Sequence, residues 1–253
     1  ANYEMDNLTT LDFKNTDPDR DGTTSFLGIG DPDFQGKGHL SMLAKYFVPL
    51  PETRDEINDI AGFFQKKKIL LGAEAKESTI KTMDLRPYRY IHFATHGILG
   101  GELTESNEPA LVLSAEAGED GLLSTSEVSK LKINADITVL SACNTGSGEY
   151  FRGEGLTGIG RAFKIAGANK LLVSLWPVDS LATKMLMENF YNNLNSGKAY
   201  AAALHDAKRS LMKTAFIPDD SSRSIKVINK ETPENFTGYE NPYFWSAFIL
   251  ITQ

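Results

Sequence analysis

Ile137-Thr138-Val139-Leu140-Ser141, running into Ala142-Cys143-Asn144-Thr145-Gly146-Ser147-Gly148, is the stretch on which the reading of the fold turns. Five residues rich in β-branched and aliphatic side chains, with no polar alternation, suit a strand buried on both faces of a parallel sheet. A glycine-rich loop follows. A helical pattern then spans about 156–166, with Gly167 placed to end it, and a second apolar strand runs over 171–176 until Pro177 stops it. Strand, loop, helix and strand in this order form a parallel crossover unit.

The same alternation continues outward on both sides. Upstream, a strand from Phe26 meets the Asp31-Pro32-Asp33 turn. A helix begins after Pro51, with Glu52, Asp55 and Glu56 in its first turns and Ile57, Ile60, Ala61 and Phe64 three or four apart. A short strand at 69–71, a helix near 77–84 and strands at 90–94 and 110–113 come next. Ser124 and Glu127 have the spacing of a capping box for a helix ending near Lys132. Downstream, helices are expected at 180–195 and 199–213, a polar loop at 218–241 and a last strand at 244–251. The fold class is therefore α/β, with a mostly parallel central sheet and helices on both faces. Residues 1–25 are polar and read as an irregular N-terminal arm.

The chain has 253 residues, a formal net charge of −7 and 23% charged residues, which suits one large α/β domain. An acidic balance does not fit bulk nucleic-acid binding, which needs a basic footprint. Lys66, Lys67 and Lys68 form the one tight basic run and read as a solvated helix end. No stretch approaches the roughly 18 apolar residues of a membrane span. The start lacks both a basic run and an apolar segment, so no signal peptide is expected, and with no initiator Met the chain reads as a piece of something longer. A single cysteine rules out an internal disulfide and favours a reducing compartment, the cytoplasm being the expected location.

In open parallel sheets, sites form beyond the carboxyl ends of strands. Two strands end on chemistry: 90–94 runs into Thr95-His96-Gly97, and 137–141 into Ala142-Cys143-Asn144. A free thiol has a pKa of about 8.5 and is mostly un-ionised at neutral pH, so a cysteine nucleophile needs a base. His96 is the right residue type at the equivalent position. It lies 47 residues before Cys143, close to the spacing of about 50 seen in caspases. Acyl transfer also needs N–H donors for the oxyanion, which Gly97 and Cys143 can supply. A buried, inert Cys143 and an ordinary turn glycine at 97 are the plainer alternatives.

The ordered string Tyr90-Ile91-His92-Phe93-Ala94-Thr95-His96-Gly97, Asp120-Gly121-Leu122-Leu123, Val139-Leu140-Ser141-Ala142-Cys143-Asn144-Thr145-Gly146, Arg152-Gly153-Glu154-Gly155-Leu156 and Ser174-Leu175-Trp176-Pro177-Val178-Asp179 resembles the CHAT family. Gly30-Asp31-Pro32, Leu50-Pro51-Glu52-Thr53 and Asn241 to Phe248 extend the likeness, which makes 26–253 the expected CHAT domain. The resemblance implies a caspase-like fold and cysteine endopeptidase chemistry related to that of caspases and separases, with His96 and Cys143 as the dyad. It implies a protein or peptide substrate, neighbouring tetratricopeptide repeats as partners, and no metal or organic cofactor. Separases carry an acid in a similar segment that receives a basic P1 side chain. Asp179 is thus either a substrate-binding residue or the N-cap of the next helix. A caspase-like scaffold or signalling module without useful turnover is the alternative from another class.

Other patterns lack a required part. Asp17, Asp19, Asp21 and Gly22 open a calcium loop whose twelfth position, Gly28, cannot ligate. Gly153-Glu154-Gly155-Leu156-Thr157-Gly158 matches a dinucleotide fingerprint but sits too far past its strand. His92 and His96 have zinc-ligand spacing on a strand rather than a helix, without the glutamate of that motif. His92 is expected to pack in the strand, on the same side as His96.

Overall fold

The computed structural model describes residues 25–34, 43–103, 107–116, 118–141, 155–176, 179–215 and 238–252. Six strands form the main sheet: β1 (Ser25–Pro32), β2 (Lys66–Gly72), β3 (Tyr90–Ala94), β7 (Ile137–Leu140), β8 (Leu171–Ser174) and β9 (Phe248–Ile251). Their order is β2-β1-β3-β7-β8-β9, all parallel except β9, which runs antiparallel to β8. A second sheet is small and antiparallel: β4 (Gly97–Ile98), β5 (Ala110–Val112) and β6 (Leu122–Ser124). The helices are α1 (Leu43–Tyr46), α2 (Pro51–Ala61), α3 (Glu77–Thr82), α4 (Thr125–Val128), α5 (Gly155–Ala166), α6 (Ser180–Asn195) and α7 (Tyr200–Met212).

Alternate residues of the central strands feed opposite faces of the sheet. Ile91, Phe93, Leu140 and Val173 pack with Ile80 of α3, Val128 of α4 and Ile159 and Phe163 of α5. Tyr90, Ile137, Val139 and Leu172 pack with Ile60 of α2, Phe190 of α6 and Leu211 of α7. Helices thus cover both faces, as the largely apolar strands require. A third cluster, which includes Phe34, Leu43, Phe47, Ile98 and Val112, lies under the small sheet. Among the described residues no helix is long and apolar enough to cross a membrane.

The expected elements appear with shifted ends. The capping box at Ser124 and Glu127 forms in full, but α4 stops at Val128 instead of near Lys132. The last strand begins at Phe248 because Pro242–Phe244 makes a 3-10 turn first. The lysine run is a correction. Lys66, Lys67 and Lys68 open β2, paired with Ser25, Phe26 and Leu27, and are not a helix end. They are exposed on an edge strand, where lysines oppose pairing with another chain. Lys67 also donates to the Ala61 carbonyl at the end of α2 (2.8 Å), a favourable place for a cation. The calcium-like pattern at 17–22 and most of the loop expected at 218–241 lie outside the described residues.

Two glycines let α2 sit directly on β1. A Cβ at Gly28 would lie 2.6 Å from Ile57, and one at Gly30 would lie 2.9 Å from the same side chain. Gly167 ends α5 as expected, in the left-handed region (φ 114°), with its N–H bonded to Lys164 and that of Ala168 to Phe163. A Cβ there would lie 2.1 Å from the Ile133 carbonyl oxygen. Gly167→Ala therefore faces an unfavourable φ and a backbone clash together. It should destabilise the fold by ~1–3 kcal/mol, read as a lower urea midpoint with an unchanged slope. A midpoint equal to wild type would show that the α5 terminus relaxes freely.

Candidate functional site

The rim of the sheet is organised around the end of β3. β1 sends its connection toward β2 on one side, while β3 and β7 lie on the other, so the chain changes direction between β1 and β3. Such a switch point opens a crevice beyond the strand ends. Asp31 to Phe34 leave β1 there, and Thr95 to Gly97 leave β3.

His96 is held by backbone on one side and aromatic rings on the other. Its carbonyl accepts from Val112 N–H at 2.9 Å, and the Thr95 hydroxyl donates to the Val112 carbonyl. Gly97 continues directly into β4 opposite Leu111. The end of β3 is therefore clamped to the small sheet, not left as a free turn. The His96 ring lies 5.7 Å from Phe34 and 5.2 Å from Phe47, centroid to centroid. Its Nε2 donates to the Val48 carbonyl at 2.8 Å. With the proton on Nε2, the Nδ1 lone pair is free to accept. Nδ1 is buried and has no hydrogen-bond partner among the described residues.

Burial dominates the electrostatics of this ring. His96 is only 2% exposed. Desolvation holds its pKa below the ordinary imidazole value, and the Val48 carbonyl and the charge of Glu52 offset this only partly. Glu52 also accepts from Ser180 Oγ at 2.9 Å, which ties the first turn of α2 to the first turn of α6. On β1, Asp31 has a positive φ of 43°. It is fixed by its N–H to Thr53 Oγ1 at 2.8 Å and by Arg54 at 2.7 Å.

Cys143 lies outside the described residues, as does the rest of 142–154. Its approach is nevertheless defined. Ser141 N–H donates to the Phe93 carbonyl at 2.8 Å, so the strand leading to Cys143 ends beside the strand leading to His96. Asp179 is the N-cap of α6 and accepts from Ala182 N–H at 2.9 Å. Its charge adds to burial in pushing the Tyr239 hydroxyl up to about 12. In this group the sequence reading missed Val48, Glu52, Phe34 and Phe47. A backbone acceptor such as Val48 carries no side-chain signature. Glu52 was legible only as a helix-start carboxylate.

His92 packs inside the sheet, as expected. It faces Glu56 and Tyr191, whereas His96 faces Val48, so the two rings do not converge on one ion. Among the described residues Glu77, Glu119 and Glu127 lie close enough to share a metal. The Lys81 ammonium already bonds all three, at 3.0, 2.7 and 2.8 Å.

A mostly parallel six-stranded sheet with helices on both faces and a histidine at the end of its central strand defines a caspase-like α/β module. The CHAT domain family model matches residues 2–253, and the chain belongs to that family, which is peptidase-related. Over 130 residues, 51% of this chain, it is 35% identical to tetratricopeptide repeat protein 28 of Mus musculus and 30% identical to that of Homo sapiens. These matches span only 4% of the relatives' length. A pyridoxal kinase from Staphylococcus aureus superposes over 78% of this chain and 90% of its own at 12% identity, with a TM-score of 0.32, too low to bear on the fold.

The buried His96 makes a pH prediction. A base whose folded pKa is depressed takes up its proton at higher pH in the unfolded chain. Acidification below about 6.5, the ordinary imidazole value, therefore favours unfolding until the folded pKa is reached. Urea midpoints of wild type should fall more between pH 7.5 and pH 5 than those of His96→Gln. Parallel losses would mean that His96 protonates without penalty.

Proposed function

We propose that this chain is a cysteine endopeptidase domain in which Cys143 is the nucleophile and His96 its base. The observation that carries the reading is the state of His96. Nε2 is tied to the Val48 carbonyl, which leaves a buried Nδ1, without a partner among the described residues, at a strand end beside the strand leading to the only thiol. An imidazole so fixed is arranged to accept one proton at one atom, which is what a base for a thiol must do.

In this mechanism Nδ1 takes the thiol proton and Sγ attacks the peptide carbonyl carbon. The N–H groups of Gly97 and Cys143 receive the oxyanion. Collapse breaks the C–N bond as His96 returns the proton to the leaving amine. Water then cleaves the thioester and restores the thiol. No step calls for a metal or organic cofactor. The substrate is a protein or peptide, and tetratricopeptide repeats, which the relatives' name records, are the expected regulatory partners. An enzyme that rests closed and is opened by such a partner accommodates the deep burial of His96, and a fully inert scaffold is the alternative.

Cys143→Ala should abolish cleavage, and His96→Ala should lower kcat by about 100-fold to 10,000-fold, both with the fold intact by circular dichroism. Gly97→Val should impair turnover as well. A substrate-like electrophile should alkylate wild type at Cys143 and react far more slowly with His96→Ala. Near-normal turnover by either dyad variant removes that residue from the mechanism. Equal alkylation of wild type and His96→Ala supports the scaffold reading.

Asp179 carries a further proposal. Its observed capping bond accounts for a stability role, with about 0.5–2 kcal/mol lost on Asp179→Ala. If the same carboxylate also reaches the substrate, it selects Arg at P1 over Lys through a charge-assisted, bidentate pair. Matched peptides with Arg, Lys, Asp, Met and Leu at P1 should then show an Arg preference that Asp179→Ala erases. An unchanged preference in a destabilised variant leaves Asp179 as a helix cap alone.

A further inference from the structure

His92 sits at the centre of β3, between Gly28 of β1 and Val139 of β7, and is fully buried. The proposed chemistry gives it no task. Its Nδ1 lies 3.2 Å from the Tyr191 hydroxyl of α6, and its Nε2 lies 3.0 Å from Glu56 Oε1 of α2. The His92 and Tyr191 rings stack at 5.7 Å and 25°. Glu56 is 2% exposed and Tyr191 1%. Burial, with the charges of Tyr90 and Glu56, pushes the Tyr191 hydroxyl pKa far up, so this group stays protonated. Its O–H is therefore available to Nδ1, and Nε2 faces Glu56. That second contact is close but off the line of a hydrogen bond, and neither Nε2 nor Oε1 has another partner among the described residues.

Three polar side chains buried together cost desolvation that an apolar trio of the same volume would avoid. They join α2, β3 and α6 at one point. Helix α2 is also the element whose lead-in presents the Val48 carbonyl to His96. It runs back along β3, so Glu56 meets His92 and Val48, eight residues earlier, meets His96 four residues further along the strand. Contact with Gly28 and Gly30 fixes how deeply α2 is seated. Thr53 and Arg54 hold its first turn to Asp31. Glu56 is the next buried polar contact along the helix.

We propose that Glu56, His92 and Tyr191 form a positioning set for His96. Their contact sets α2 along β3 and so aims the Val48 carbonyl that keeps the His96 proton on Nε2. The catalytic meaning rests on the dyad proposed above; the positioning itself does not.

Ring-nitrogen NMR on the ¹⁵N-labelled full chain tests this, because two-bond proton couplings report the tautomer of each of the four histidines. The His96 signals are assigned by their loss in His96→Gln. Wild type should show the Nε2–H form. Glu56→Leu and Tyr191→Phe should show a mixture of tautomers in the folded state, and Glu56→Gln a smaller admixture. In peptide assays kcat should fall about tenfold or more, as misplaced catalytic groups do, with KM nearly unchanged. A lowered Tm with the His96 tautomer unaltered in all folded variants overturns the proposal and leaves the trio as packing. Should Glu56→Leu fail to fold, Tyr191→Phe, which removes a single oxygen, carries the test. Should wild type cleave no peptide even with its repeat partner present, the dyad reading fails on its own, and the tautomer result still decides this one.

Discussion

The seating of α2 on β1 is the constraint on which the rest of the rim depends. Gly28 and Gly30 leave no side chain between the strand and Ile57, so the helix approaches more closely than any other residue would permit. The connection from Phe47 to Leu50 must therefore pass close over the end of β3. The extended conformation that Pro49 favours at Val48 suits that path. The Val48 carbonyl then meets His96 as a consequence of packing far from the ring. The third apolar cluster closes the other side, with Phe34 and Phe47 against the imidazole. His96 lies just past a strand end, where a loop alone could have carried it. Here it is supported by a helix lead-in, a small sheet and two aromatic rings.

Much of this was legible in sequence, for identifiable reasons. The central strands are mostly apolar because both faces are covered, and no helix period competes with that pattern. Gly167 and the Ser124–Glu127 pair mark helix ends through chemistry local to a few residues. The small sheet was not legible as a sheet. β4 has two residues and β6 three, too few for any alternation to register. Gly97 consequently read as lying in the loop past the strand at 90–94, although tertiary pairing makes it a strand residue. The lysine run misled for a related reason. Three successive charges fit a helix end locally, and only pairing with β1 makes them an edge strand. Within the site, the histidine and the capping aspartate were visible because their chemistry lies in side chains. Val48 acts through its backbone and Glu56 through a contact 36 residues away in sequence. Neither kind of role leaves a local pattern.

The environment of His96 also constrains the order of events in any thiol chemistry. Desolvation disfavours the imidazolium, so a preformed thiolate–imidazolium pair is not the resting state that this setting promotes. A neutral imidazole is cheaper to bury than a charged one. Proton transfer then becomes favourable only as negative charge develops on an oxyanion and the N–H donors receive it. Water entering the rim, or a partner drawing the Phe34 and Phe47 walls apart, would relieve the desolvation and raise the basicity of His96. Burial therefore acts on both access and proton affinity, and one movement of the walls would change the two together. If His96 serves as the proposed base, the domain can be quiet without an inhibitor in its site, because the same aromatic contacts that fix the ring also keep it neutral.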